Sequence, residues 1–182
     1  ANGGLRTHPK TGRQVLNSDN FISNLSYFTT NGECLEIVSL AEKFVSLSIR
    51  HLSAGSDNSI AFAMQDQEKF SILPLIGIHK RGQTIKLLSA PTNLQRKLHG
   101  YIGSVAFDQE AKLIAATSPK IGVVHIFSVI NAQLKRSVSY GDVCGVTGID
   151  GGGFIATTGT GCIYYLGDRT DTLLSEQSVW WD

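Results

Sequence analysis

The sequence has few of the residues that identify common enzyme and metal-binding classes. It contains three cysteines and no C-x-x-C pair, so neither a zinc knuckle nor a thioredoxin-type site is expected. Neither sign of charge is in excess, because 16 Lys and Arg oppose 15 Asp and Glu and leave a net charge of +1. This balance argues against a nucleic-acid surface, which needs a basic excess to neutralise phosphates.

Long apolar segments are missing as well. The longest run, "ILPLIGI" at residues 72–78, is too short to span a bilayer. No charged-then-apolar leader opens the chain, and its first residue is Ala1 rather than methionine. We therefore expect no membrane span, and we expect a fragment cut from a longer protein.

Motifs that would name a reaction are also lacking. The sequence has no G-x-S-x-G, and "GTGC" at residues 159–162 lacks the third glycine of a dinucleotide loop. The acidic residues near the end lack the central glycine of an EF-hand. The histidines have neither H-x-H nor H-x-x-x-H spacing, so no local metal site is predicted.

What the chain does contain is an internal repeat. Three segments align: "SIRHLSAGSDNSIAFAMQ" from Ser48, "YIGSVAFDQEAKLIAATS" from Tyr101 and "DVCGVTGIDGGGFIATTG" from Asp142. Each has an apolar run, a polar or glycine turn and a second run rich in alanine or threonine. Two strands joined by a tight turn explain this pattern.

A second pair of strand-like runs follows each of these segments. The turns within these pairs are expected at Arg81-Gly82, near Asn131 and near Gly167. An earlier pair turns at Asn31-Gly32, and Asn-Gly is the strongest short hairpin signal. The chain therefore reads as half a unit followed by three units of four strands, each roughly 40 to 50 residues long, the length of a propeller blade.

We predict an all-β single domain over residues 1–182, with about three and a half four-stranded antiparallel blades of a β-propeller. The expected parts are a connecting loop at 1–20, a half blade at 21–40, and blades at 46–90, 100–140 and 142–178. One helical turn is expected after Pro91. Leu52, Val105 and Val146 are expected at equivalent buried positions of the innermost strands.

Several motifs resemble one known family. "THPKTGRQVLN", "LSIRHLS", "GYIGSVAFD", "LIAATSP", "DVCGV" and "FIATTGTG" are similar, in order, to the C-terminal half of a bacterial exported family of unknown function. The resemblance implies a seven-bladed propeller related to WD40 and YVTN repeats, a twin-arginine signal and a periplasmic location. It also implies genes near those of imelysin-type iron-uptake proteins. It supplies no established activity.

The opening loop holds three candidate ligand-binding residues, His8, Arg13 and Asn17. Long ordered loops on a rigid scaffold often carry function, and the resemblance places this one in the family's most recognisable motif. The alternative is a structural plug in which Arg13 bonds carbonyls across blades.

Three further candidates lie on predicted innermost strands. Arg50 could hold a carboxylate or phosphate through its planar guanidinium. His51 could ligate a metal or hold a blade corner by tying strands together, and strand geometry should send it to the opposite face from Arg50. Cys144, expected at the position equivalent to Ser104, could face the channel, although no neighbouring base supports a nucleophile.

We expect a non-enzymatic binding or scaffold protein, and the family resemblance implies that it belongs to the cell envelope as an accessory to iron uptake. The alternative is a lyase, or a metal- or haem-dependent oxidoreductase, whose site needs the missing N-terminal half. The sequence identifies no cofactor. Its expected partner is a second propeller half, either the missing segment or another copy of the chain, with envelope iron-uptake proteins as further partners.

Overall fold

A computed structural model describes residues 1–12, 14–18, 20–68 and 72–177. Its regular structure is almost entirely strand, which confirms the predicted all-β class. The strands are β1 (Asn24–Phe28), β2 (Cys34–Ser39), β3 (Leu47–Ala54), β4 (Ser59–Asp66), β5 (Ile76–Lys80), β6 (Lys86–Leu88), β7 (Ser104–Phe107), β8 (Leu113–Ser118), β9 (Val123–Ser128), β10 (Leu134–Ser139), β11 (Val143–Gly148), β12 (Phe154–Thr158), β13 (Cys162–Leu166) and β14 (Asp171–Glu176).

The strands form one two-stranded and three four-stranded antiparallel sheets. We call β1–β2 the half blade, β3–β6 the first blade, β7–β10 the second and β11–β14 the third. Consecutive strands are neighbours in every blade, and β7 lies against both β3 and β11. The strands β3, β7 and β11 are therefore the innermost strands of adjacent blades, and together we call them the inner wall.

The turns follow the residues that the sequence offers. Gly32 and Gly82 adopt φ values of +87° and +79°, which the tight turns after Asn31 and Arg81 require and which side chains disfavour. The helix α1 (Thr92–Lys97) begins directly after Pro91, as expected, and connects the first blade to the second. No helix among the described residues is both long and apolar enough to cross a membrane.

The core lies between the blades. Ala61, Ala115 and Ala156 are buried at matching places on the second strand of each blade, where small side chains let neighbouring sheets approach closely. One apolar cluster joins the half blade to the first and second blades, and another joins the second blade to the third. Each blade therefore buries its apolar faces against its neighbours.

The third strands show how blades fill equivalent space with different residues. In the first blade the Phe62 ring covers Gly77, its partner on β5, so closely that a Cβ there would clash. In the second blade the matching pair is Ala116 and His125. The larger residue of the pair lies on the second strand in the first blade and on the third strand in the second blade, and the layer between blades is packed in both.

The predicted equivalence of Leu52, Val105 and Val146 is wrong in part. All three lie on the inner wall, but Leu52 is 46% exposed, Val146 is half-buried and Val105 alone is buried. Strand pairing instead groups Ser53 with Ala106 and Val146, and Leu52 with Val105 and Gly145. The matched pairs Ser53–Ala61, Ala106–Ala115 and Val146–Ala156 are separated by 8, 9 and 10 residues, so matching residues by their distance from the turn misplaces them.

The edge of β1 that faces away from β2 is not paired with another strand among the described residues. The opening residues touch that edge once, where Asn2 and Asn24 exchange two backbone hydrogen bonds of 2.8 and 2.9 Å. On its other side β1 pairs with β2, and Tyr27 reaches across to the first blade. The half blade directly precedes the first blade and corresponds to the third and fourth strands of a blade, which are its outer strands. In each full blade the third strand has a partner on both sides, whereas β1 has β2 on one side only.

Candidate functional site

The inner wall is built mainly from small and uncharged residues. Its strand sequences are LSIRHLSA, SVAF and VCGVTG. Arg50 is the one residue in these fully described strands that carries a fixed charge, and His51 and Cys144 are the other ionisable groups. Three of the residues selected from sequence therefore stand out chemically on this wall.

A β-bulge presents Arg50. The pairing of β3 with β4 shifts between Ile49 and His51, which leaves Arg50 without a partner across the ladder. Such a bulge interrupts the alternation of side chains and redirects the extra residue. Both Arg50 and His51 are exposed. The expectation that they point to opposite faces rests on regular strand geometry, which the bulge interrupts at this place, and it stays a prediction.

The base of Arg50 is held by the opening segment of the chain. A Cβ at Gly3 would lie 2.8 Å from the Ser48 hydroxyl, 2.9 Å from the Ile49 carbonyl oxygen and 3.7 Å from Cδ of Arg50. The segment passes over β3 this closely because residue 3 has no side chain. The guanidinium itself forms no ion pair or hydrogen bond within the described part of the chain.

Two buried serines fix this arrangement. The Ser48 hydroxyl donates to the Gly3 carbonyl at 2.8 Å. The Ser23 hydroxyl donates to the Asn2 carbonyl at 3.1 Å and accepts the backbone N–H of Ile49 at 2.8 Å. The opening segment, the half blade and the start of β3 are thus joined directly beneath Arg50, which gives the exposed guanidinium a rigid base.

His51 lies next to this charge. Partial burial and the adjacent Arg50 charge lower the pKa of His51, in that order of importance. The imidazole is therefore neutral at neutral pH and can donate one hydrogen bond without adding charge. Its side chain forms no hydrogen bond among the described residues, so the structure assigns it no blade-tying contact.

Cys144 also occupies a bulge. The pairing of β11 with β12 shifts between Val143 and Gly145, and Val143 rather than Cys144 matches Ser104 by strand pairing. The expected equivalence of Cys144 with Ser104 is therefore wrong by one residue. The Cys144 carbonyl accepts a 2.5 Å hydrogen bond from the Thr117 hydroxyl of the second blade, while the thiol is exposed.

The opening loop folds on itself. Asn17 accepts the Arg6 N–H at 2.7 Å and donates to the carbonyls of Gly4 and Asn20 at 2.9 and 3.2 Å. Nδ1 of His8 accepts the Lys10 N–H at 3.2 Å at the start of a short 3-10 turn. Asn17 thus shapes the loop, and His8 stays exposed. Arg13 lies outside the described residues, and so do its predicted carbonyl contacts.

Arg50 and His51 are neighbours on β3, and neither forms a hydrogen bond or ion pair with His8, Asn17 or Cys144. No group of three or more histidine, cysteine or acidic side chains that could hold a metal ion occurs in the described ranges. Sequence reasoning missed the bulge at Arg50 and the role of Gly3. The glycine pair that opens the chain is the signal that could have indicated a close backbone approach.

Comparison with known structures supports the propeller fold. A streptogramin B lyase is 10% identical over 94% of this chain and 53% of its own length, with a TM-score of 0.62. A virginiamycin B lyase from Staphylococcus aureus is 12% identical, with 96% and 55% covered and a TM-score of 0.59. A protein of unknown function from Bacteroides caccae is 12% identical, with 87% and 55% covered and a TM-score of 0.61.

At these identities the likeness shows the β-propeller fold alone. The chain spans about half the length of these structures, 53 to 55%. No curated protein matches it. A family model described as "Protein of unknown function (DUF1513)" matches residues 1–182 in full. The chain therefore belongs to the DUF1513 family.

Proposed function

We propose that this chain is part of a non-enzymatic propeller that binds an oxyanion, a carboxylate or phosphate group, at Arg50 on its inner wall. The proposal rests on one observation, the exposed and unpaired charge of Arg50. It is the single fixed charge of the wall, it lies exposed at a bulge, and no described residue neutralises it.

The chemistry around Arg50 suits recognition of such a group. A guanidinium presents paired N–H donors that match both oxygens of a carboxylate or phosphate. The neutral His51 beside it offers one further donor, and the neighbouring strands β7 and β11 carry no fixed charge that would compete for the guanidinium. The fixed base formed by Gly3, Ser23 and Ser48 limits the ordering cost on binding.

The same surroundings support binding more than catalysis. The inner wall carries no carboxylate, and Cys144 has no imidazole or carboxylate partner among the described residues. The one candidate base on the wall is His51, and no described residue bonds its side chain to orient it. The family resemblance supports a place in the bacterial cell envelope and an accessory role in iron uptake. Iron chelators with several carboxylates would be natural ligands for an exposed arginine.

We also propose that further strands pair with the open edge of β1 and that a further blade covers the exposed face of the half blade. Phe28, Leu35 and Ile37 are 58%, 48% and 61% exposed on the half-blade face that points away from the first blade. Since Asn2 pairs antiparallel with Asn24, the residues that would pair with Ser26 and Phe28 precede Ala1. This register favours completion by preceding residues of the same polypeptide over completion by a second copy.

Titration of the full-length protein with citrate and with inorganic phosphate, followed by NMR, tests the binding proposal. The largest shifts should fall on Arg50, His51 and Gly3. Shifts confined to other surfaces would contradict it. Metal analysis and an absorption spectrum of the same preparation test the enzymatic alternative, which stoichiometric metal or haem would support.

A further inference from the structure

A cavity of about 150 Å³ lies between the second and third blades, apart from the inner wall. Its base is apolar, since Phe154 and Leu166 are fully buried and Ile126 is 5% exposed. Leu113 and Gly153 line it as well, and the exposed side chains Lys135 and Asp168 mark its mouth. A second hollow adjoins it and shares Leu113, Gly153 and Asp168. Room for a ligand therefore extends beyond the first cavity.

A third β-bulge shapes the mouth of this cavity. The pairing of β10 with β9 shifts between Leu134 and Arg136, which leaves Lys135 without a partner across the ladder. Neighbouring residues of a regular strand point to opposite faces. Here Lys135 and Arg136 both line the same cavity, which the bulge permits. Two consecutive cations thus face one apolar space.

The two cations differ in whether a partner compensates their charge. Arg136 donates to the Gly167 carbonyl at 2.8 Å and pairs with the Asp171 carboxylate at 2.5 Å, so its charge is compensated. Lys135 forms no ion pair or hydrogen bond within the described residues. Asp168 is exposed at the same mouth and is not paired with Lys135. One uncompensated ammonium group therefore stands at the mouth of an apolar cavity.

We propose that this interblade cavity binds a small monocarboxylate with an apolar body, and that Lys135 contacts the carboxylate. A cavity of this size lined by leucine, isoleucine and phenylalanine holds one benzene-sized ring. The ring lies against Leu113, Ile126 and Phe154, and the carboxylate stays at the mouth near Lys135. The site is independent of Arg50, because none of its lining residues lies on the inner wall.

Ligand-observed NMR on the full chain tests this site with three probes of one size, phenylacetate, benzyl alcohol and benzylamine. Phenylacetate should bind best and benzylamine worst. Lys135→Gln should weaken phenylacetate about fivefold at low salt, which is the scale of an exposed ion pair, and leave benzyl alcohol unchanged. Asp168→Asn should strengthen phenylacetate two- to threefold, because it removes a like charge. Lys97→Gln, an exposed lysine on α1, is the matched control.

Three results would overturn the proposal. They are no binding of phenylacetate or benzyl alcohol, equal binding of phenylacetate by the wild type and Lys135→Gln, or weaker binding of phenylacetate by Asp168→Asn. Leu113→Phe supplies a check that does not depend on charge, since the larger ring fills the cavity and should abolish binding of both neutral and anionic probes. Its thermal unfolding temperature shows that the variant is folded.

Discussion

The Tyr27 hydroxyl lies 2.7 Å from Nδ1 of His79 and joins the half blade to the first blade across 52 residues of chain. On the other side of the imidazole ring, Nε2 of His79 lies 2.8 Å from the backbone carbonyl oxygen of Gln83, which can only accept a hydrogen bond. Nε2 must therefore carry the proton, and Nδ1 accepts the hydrogen bond from Tyr27. His79 is buried and Glu36 stands 3.7 Å from it, so this histidine is a structural link rather than a ligand site.

Replacement of Tyr27 by phenylalanine should lower the free energy of unfolding by about 1–3 kcal/mol, because it leaves a buried imidazole nitrogen without its donor. Chemical denaturation measures this change. Tyr165→Phe is the control, since its hydroxyl has one long contact of 3.5 Å to Gly152, and it should cost less than about 0.5 kcal/mol. Equal losses of unfolding free energy in the two variants would show that the Tyr27–His79 hydrogen bond does not stabilise the fold.

The buried His125 should make stability depend on pH. Desolvation lowers the pKa of His125 to about 4, from 6.5 in the unfolded chain, and no described residue bonds its Nδ1. As pH falls from 6.5 to 4 the unfolded state takes up the proton first, so stability falls, by about 3 kcal/mol when complete.

Denaturation curves at several pH values, compared between wild type and His125→Leu, isolate this contribution. The variant should lose the decline that the wild type shows between pH 6.5 and pH 4, and it should be no less stable at pH 7. His99→Gln, an exposed histidine, should keep the wild-type decline. An unchanged pH profile in His125→Leu would show that this imidazole is accessible to protons in the folded state.

The second and third blades are held together by Asp171. Its carboxylate accepts from Arg136 and, at 2.6 Å, from the Tyr140 hydroxyl, and both ion-pair side chains are at least three-quarters buried. Burial and the bond to Asp171 raise the pKa of Tyr140 well above its ordinary value. Asp171→Asn should cost about 2 kcal/mol, because it leaves the Arg136 charge without its partner.

A double-mutant cycle with Arg136→Gln tests this pairing. The combined variant should lose less stability than the sum of the single variants, since each removes the same interaction. Asp168→Asn, at an exposed position nearby, should stay within about 0.5 kcal/mol of wild type. Strict additivity would mean that the two side chains do not interact in solution.

The exposed half-blade face should make the isolated chain associate. Light scattering at micromolar concentration should report a mass above that of a monomer, because sheet faces that normally pack on neighbouring blades are open. Ile37→Asp should reduce the association, whereas Ile130→Asp should not, since Ile130 is 80% exposed in a turn of the second blade rather than on this face. A wild-type monomer would contradict the claim that this face needs a partner.

The sequence predicted the fold well because its signals are local. Asn-Gly and Arg-Gly turns, short apolar strands and the proline before α1 each depend on a few adjacent residues, and each lies where it was expected. The internal repeat then identified the blades. The register within blades was less predictable, because connections that differ by one residue displace Val146 from the position assumed for it.

The candidate site was predicted less completely. Arg50 and His51 stood out by residue type, but the bulge at Arg50 depends on how β3 pairs with β4, which no local pattern encodes. The same reason hides the bulge at Lys135 and the cavity beside it. Contacts between distant segments, such as Tyr27 with His79 and Gly3 with Ser48, appear only once the blades are packed.

Binding of citrate by Arg50 variants tests the central claim most directly. Calorimetric titration of the full-length protein should show affinity about tenfold lower in Arg50→Gln, because the variant loses a charge-assisted hydrogen bond. Arg50→Lys should lie in between, since it keeps the charge but not the paired donors. Arg81→Gln, at an exposed turn, and Lys135→Gln should bind as the wild type does. Unchanged affinity in Arg50→Gln would contradict the proposal that the inner wall binds its ligand through this arginine.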